Sequence, residues 1–235
     1  MDIGIFTIVY NGYGRFILQW CQSISELTRR PAQVVAALFG EDHGVTNEIA
    51  AQCRKIVPNI QIIHKGNHIN LGADRNKAVE ELGTEWIMLL SADDIILPTA
   101  IEEFEKHDCS DIDVIACSYT SIGLNGDERL RPAPKTFLAE RMLDWRNYWL
   151  SPYSPFRRSF WEEHPYYSGE FPNVQQTNSF AVYGARFART DVPCVYWIRR
   201  EDSHHECMRR SEEDQKKIDQ FLDSRVDEIT KRLGG

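Results

Sequence analysis

The first hundred residues alternate between two hydrophobic periods, and few folds accept that alternation. Residues 3–10 (IGIFTIVY) are a β-branched and aromatic run ending at Asn11-Gly12, the pattern of a buried strand followed by a turn. Over residues 15–29, Phe16, Ile17, Trp20, Ile24 and Leu27 mark one stripe of an amphipathic helix, which Pro31 closes. Residues 34–39 read as a second buried strand, Thr46 as the cap of a helix through 56, and residues 60–63 as a third strand. A helix over 72–82, closed by Gly83, then leads to a fourth strand at 86–90. Strand and helix repeated this way predict an α/β fold with a mostly parallel central sheet flanked by crossover helices. Ligands on such sheets sit beyond the carboxyl ends of the strands. Those ends carry Tyr10-Asn11, Glu41-Asp42 and Ser91-Ala92-Asp93-Asp94.

Composition narrows the setting. At 235 residues, 42% hydrophobic and 26% charged, the chain suits one generous globular domain and is too apolar for a disordered one. Its longest apolar runs fall far short of the roughly 20 residues that span a bilayer. Asp2 near the N-terminus and the early polar Asn11 argue against an export signal. Six cysteines without a CxxC pair suit reduced thiols, so the expected location is cytoplasmic. Residues 1–128 hold 9 Lys/Arg against 19 Asp/Glu, whereas residues 129–210 hold 13 against 9, a split that suggests two faces with different partners. Scatter over a solvated surface is the plainer explanation of the same numbers. Beyond a strand at 192–198, residues 211–233 form a charged helix with Ile218, Phe221, Leu222, Val226 and Ile229 as its packing stripe.

Four groups of residues could carry chemistry. Asp93 and Asp94 leave the fourth strand together, and hard cations such as Mg²⁺ and Mn²⁺ share one or two such carboxylates with substrate phosphates. The competing structural role is a cap for a helix beginning near Pro98. Ahead of them, Gly72 permits a tight turn and Arg75 projects from a first helical turn, a pairing suited to a diphosphate. Residues 129–171 contain 11 of the 26 aromatics, interleaved with Arg129, Arg131, Arg141, Arg146, Arg157 and Arg158. Trp145, Trp149, Arg157 and Arg158 are therefore candidates to hold an acceptor, with aromatic faces for rings and guanidinium forks for phosphates. Ordinary core packing competes for the same aromatics. Finally, the polar run Arg199 to Glu206 offers His204 and His205 beside carboxylates, a mixture that suits Mn²⁺.

Taken together, the motifs resemble the GT-A glycosyltransferases of the inverting family 2. That family shows a first strand ending near T-x-x-Y-N, then N-x-G-x-x-x-A-R-N at a helix start, then a strand ending in D-A-D-D. Here the counterparts are Thr7-Ile8-Val9-Tyr10-Asn11, Asn70-Leu71-Gly72-Ala73-Asp74-Arg75-Asn76 and Ser91-Ala92-Asp93-Asp94, in that order over about residues 3–100. The resemblance implies a GT-A fold over 1–210, with a nucleotide-sugar-binding half (1–100), an acceptor half (101–210) and a C-terminal helix (211–235) packed on it. It implies that Thr7, Tyr10 and Asn11 line the base and ribose, Glu41 or Asp42 reads the base, and Gly72 and Arg75 neighbour the diphosphate. Ser91 and Asp93 then face the donor, with Asp93 binding Mn²⁺ or Mg²⁺ and His204 or His205 completing the shell. The implied activity is transfer of a sugar, with inversion, from a nucleotide-diphosphate sugar to a hydroxyl acceptor, a UDP-sugar being the commonest donor in the family and thymidine and guanosine donors staying open. The arginine and aromatic band suggests that the acceptor is anionic, a phosphate-bearing glycan or lipid, or a hydroxylated base in nucleic acid.

Two departures qualify the match. Ser91 replaces the first acid of the D-x-D, removing one negative charge from the metal site. Where the family places its general base, this chain has Gln175-Gln176, and an amide cannot take a proton from an attacking hydroxyl. Glu170 and Asp202 are the candidates to replace that base, unless the base stands a few residues away or the chain transfers poorly. A silent module that binds nucleotide sugars without turnover is the first alternative. A nucleotidyltransferase is the second, although Asn11-Gly12-Tyr13-Gly14-Arg15 is a poor substitute for its lysine-bearing glycine loop. A dinucleotide fingerprint fails at Ile17, and no P-loop or G-x-S-x-G is present.

Overall fold

A computed structural model describes residues 1–137, 150–166, 176, 177, 180, 183–201 and 220. Four strands, β1 (Ile3–Val9), β2 (Gln33–Leu38), β3 (Ile60–His64) and β4 (Trp86–Leu89), pair in parallel in the order β3-β2-β1-β4. Helices α1 (Ile17–Ser25), α2 (Asn47–Ile56) and α3 (Leu71–Val79) make the crossovers. This part follows the sequence pattern closely. Thr46 caps α2, its hydroxyl accepting from Ile49 N at 3.3 Å. The helix expected over 15–29 instead opens with a 3₁₀ turn, Tyr13–Phe16, because the left-handed Gly12 turns the chain first. All seven residues of β1 are buried, as a central parallel strand covered on both faces requires.

Past residue 90 the sheet becomes mixed. It continues through β5 (Ile95–Ile96), helix α4 (Ala100–Glu105), β6 (Val114–Ile122), β7 (Glu128–Arg131), β8 (Phe156–Arg157), helix α5 (Arg158–Glu163) and β9 (Phe187–Ile198). Strand β8 is antiparallel to both β4 and β6, while β6 and β9 run parallel. The mostly parallel description therefore holds for the first half alone. The last strand begins five residues before the expected position 192, and Pro193 is accommodated where the β6–β9 register shifts. One core cluster lies under α1 and α2 (Ile5, Trp20, Met88) and the other under α3 (Phe6, Ile87, Leu89), on opposite faces of the sheet. Trp20 Nε1 donates to Leu90 O at 3.0 Å, which fixes the end of β4 over α1.

The described aromatics of the 129–171 band are largely core. Tyr153 and Phe156 are buried, and Phe156 packs edge-on to Tyr166 and against Phe180. Trp145, Trp149 and the C-terminal helix lie outside the described residues.

Candidate functional site

Glycines bring the first two strand ends together. Gly12 N donates to Asp42 O at 2.6 Å, and Gly14 N to His43 O at 2.8 Å. A Cβ on Gly14 would stand 2.5 Å from His43 O and 2.7 Å from Gly44 C, so only glycine lets the two loops touch. Asn11, with φ 46°, turns the chain out of β1 and leaves its side chain exposed, as are Glu41 and Asp42 on the facing loop. Thr7 is buried within β1.

Tyr10 stands at the mouth as a stacking surface. Its ring lies parallel to His68 at 4.6 Å and to Tyr13 at 5.6 Å. His68 is held from the other side by Asp74: Nδ1 lies 2.5 Å from Asp74 Oδ2, and Ile69 N donates to Asp74 Oδ1 at 3.3 Å. Asp74 is fully buried, so a carboxylate from the first turn of α3 orients a ring at the loop before it. Asn70 caps that helix, accepting from Ala73 N at 2.9 Å, and Gly72 is buried in the same turn.

Arg75 lies next along α3 and is 6% exposed. Its guanidinium faces the Tyr166 ring at 5.5 Å. Burial presses its pKa below the ordinary arginine value, opposed by the phenols of Tyr166, Tyr10 and Tyr153. Asn76 keeps Tyr166 there, donating to its carbonyl at 2.7 Å and accepting from its N–H at 2.9 Å.

The acidic pair divides. Asp94 is 2% exposed, and its two oxygens accept from Tyr153 Oη at 2.6 Å and from Ile198 N at 2.9 Å. Burial, then the adjacent Asp93 charge, push its carboxyl well above the usual carboxylate range. Asp94 is thus structural, and the expectation of two acids acting together is corrected. Nor does either acid cap the next helix, whose N-cap is Thr99. Asp93 remains beside Ser91 at the strand end, with Arg200 Nη2 donating to its carbonyl at 3.2 Å. Among the described residues no three His, Cys, Asp or Glu gather as a metal cage. One carboxylate with a neighbouring hydroxyl fits Mg²⁺ or Mn²⁺ held jointly with a donor's phosphates. His204, His205, Asp202 and Glu170 lie outside the described residues.

Arg157 and Arg158 require correction. Both sit where β8 pairs with the start of β4, at Trp86, the end of that strand remote from Asp93. Arg157 donates to Glu85, to Ile112 O at 3.0 Å and to Cys109 O at 2.8 Å, and its Cζ lies 4.3 Å from the Trp86 ring centroid. Arg158 donates to Leu82 O and to Glu162 Oε1 at 2.9 Å. Arg157 is committed to tying the sheet together and Arg158 gives two of its nitrogens to Leu82 and Glu162, both at the end of β4 away from Asp93.

His68 and Tyr13, which stack with Tyr10, are not singled out by the sequence. His68 lies in the loop before α3 and Asp74 inside the helix, so no single period joins them.

A sheet whose first four strands run parallel and end in polar loops places any ligand site at those ends, and the fold is that of the GT-A glycosyltransferases. The family model for glycosyl transferase family 2 matches residues 5–192, and the chain belongs to that family. A curated relative, an uncharacterized glycosyltransferase of Methanocaldococcus jannaschii, is 26% identical over 127 residues, 53% of this chain. The match spans 44% of that relative's length. Among solved structures, the S. aureus TarS fragment in complex with UDP-GlcNAc superposes with a TM-score of 0.74 at 16% identity, covering 99% of this chain and 71% of that one. The mannosyltransferase PcManGT from Pyrobaculum calidifontis, in complex with GDP-Man and Mn²⁺, gives 0.61 at 13% identity, covering 88% and 59%.

Proposed function

We propose that this chain transfers a sugar, with inversion, from a nucleotide-diphosphate sugar to a hydroxyl acceptor, with residues 1–100 holding the donor and 101–210 the acceptor. The observation that carries the reading is Tyr10 at the end of β1 and Asp93 past the end of the neighbouring β4, with Arg75 of α3 close enough to Tyr10 and Tyr153 to feel their charge: a ring for a base, an acid for a metal and a cation for phosphates. In this reading Thr7, Tyr10 and Asn11 form the base and ribose subsite, with Glu41 or Asp42 at the base edge. Gly72 and Arg75 border the diphosphate, and Ser91 and Asp93 face its other side. UDP-sugars are the leading donors, supported by the UDP-GlcNAc and UDP complexes of TarS. The GDP-Man complex of PcManGT keeps guanosine donors in the test.

Asp93, with His204 or His205, would hold a Mn²⁺ or Mg²⁺ that neutralises charge on the departing diphosphate. Glu170 or Asp202 takes the proton of the acceptor hydroxyl as its oxygen attacks the anomeric carbon. Trp145 and Trp149 are retained for the acceptor side. An anionic acceptor loses two of its carriers with Arg157 and Arg158. Among the described residues no helix is long and apolar enough to cross a membrane, and a cytoplasmic location is part of the proposal.

The test is a thermal-shift panel of UDP-, GDP- and dTDP-sugars with and without Mn²⁺, followed by assay of released nucleoside diphosphate. A donor at about a hundred times its Kd stabilises by about 2.7 kcal/mol, a shift readily measured. Binding with release supports the transferase. Binding without release supports the silent module, which Ser91 and Gln175-Gln176 favour. No shift with any donor overturns both.

A further inference from the structure

Arg200 follows β9 at the point where the strand leaves the sheet beside the β4 loop. Two residues earlier the chain is pinned by the Ile198 N–H bond to Asp94, so the position of Arg200 is set by the sheet. Its guanidinium covers the Phe16 ring, Cζ lying 4.3 Å from the centroid, and Nη2 donates to the Asp93 carbonyl at 3.2 Å. The remaining geometry is less satisfied. Nε is buried and has no hydrogen-bond acceptor among the described residues. The Asp93 carboxylate faces it at 4.0 Å, beyond hydrogen-bond range.

Arg15 approaches the same Phe16 ring at 4.5 Å. Two guanidiniums therefore converge on one aromatic next to the loop that carries Asp93. Two cations held this close to the Asp93 loop make the potential there more positive, which favours an anion. The sequence acts in the same direction. Ser91 supplies no carboxylate to this loop, and Arg200 places a cation 4.0 Å from the Asp93 carboxylate. Both features weaken a cation trap and strengthen an anion receptor. A guanidinium offers a fixed fork of donors that matches phosphate oxygens, and an ion pair at 4.0 Å without a hydrogen bond is a weak competitor for it.

We propose that Arg200 binds the terminal phosphate of the nucleoside diphosphate, so that the leaving group is held by a protein cation in addition to any ion on Asp93. The inference rests on the nucleotide-sugar reading above. Its consequence is that part of the affinity for the diphosphate needs no metal.

The experiment is calorimetric titration of the whole chain with UMP, UDP, GMP and GDP in EDTA, for the parent, Arg200→Gln and Arg200→Lys. In the parent, the diphosphate of the preferred base binds more tightly than its monophosphate. Arg200→Gln weakens the diphosphate about ten- to hundredfold, the worth of a charge-assisted pair, and leaves the monophosphate unchanged. Arg200→Lys recovers part of that loss. Equal weakening of mono- and diphosphate by Arg200→Gln, or no weakening, overturns the assignment while leaving the donor reading standing. A parent protein that binds none of the four nucleotides overturns the donor reading and this assignment together.

Discussion

Tyr153 Oη donates a 2.6 Å hydrogen bond to Asp94 Oδ2, joining residues 59 apart in the chain. Asp94 also accepts from Ile198 N, so one buried carboxyl fastens the β4 loop, the 150–157 segment and the end of β9 at a single point. Behind Asp93 there is thus a rigid wall. Removing the phenol leaves a buried acceptor half satisfied, and Tyr153→Phe should cost about 1–3 kcal/mol in urea unfolding. Donor affinity should fall with it, since Asp93 and Arg200 are both held through this point. A variant as stable as the parent would show that the bond contributes nothing.

Asp93→Ala should remove the Mn²⁺-dependent part of the donor-induced thermal shift and leave the metal-free part. An unchanged Mn²⁺ response would move the ion elsewhere.

Stacking at Tyr10 should carry base affinity. Tyr10→Ala is expected to weaken nucleoside monophosphate binding by about 1–3 kcal/mol, the worth of a base on an aromatic face. Asp74→Asn acts through the loop residues His68 and Ile69 that it holds and should show a smaller loss, read by the same titration. Equal losses would mean that Asp74 supports more than one ring.

Gly14→Ala tests the loop contact. Its Cβ would meet backbone at 2.5 and 2.7 Å, so the first and second strand-end loops must separate. The expected outcome is a stability loss of about 1–3 kcal/mol together with weaker nucleotide binding. A variant that binds normally would show that the loops need not touch.

Asp113 and Arg186 clasp the starts of β6 and β9, with oxygen–nitrogen distances of 2.8 and 2.9 Å. The Arg186 hydrogen bonds hold the Asp113 carboxyl below the usual carboxylate range, against the opposing effect of burial. A depressed acid contributes stability above its unfolded pKa of about 3.9 and loses it as pH falls through the lower folded value. The melting-temperature gap between the parent and Asp113→Asn should therefore be widest near neutrality and close as pH drops below about 4. A gap independent of pH would remove the ion pair from the account.

Much of the first half was legible without coordinates. Helical and strand periods are local properties, so the run from β1 to β4 and the Thr46 cap follow from residues a few positions apart. The motifs Thr7–Asn11, Asn70–Asn76 and Ser91–Asp94 were legible for the same reason, each being a contiguous stretch at an element boundary. Beyond residue 100 some elements are very short, β8 being two residues, and they pair across long separations that no periodicity records.

The linear order of residues was enough to settle the alternation of elements, the class of fold and the end of the sheet where a ligand belongs, because backbone geometry and burial dictate those within a few turns of chain. It could not separate Asp93 from Asp94, which are chemically identical neighbours; the partners that divide them, Tyr153, Ile198 and Arg200, arrive from 59 to 107 residues away. Nor could it tell that Arg157 braces the sheet while Arg200 borders the site. A guanidinium takes its role from whatever acceptors surround it, and folding alone assembles those.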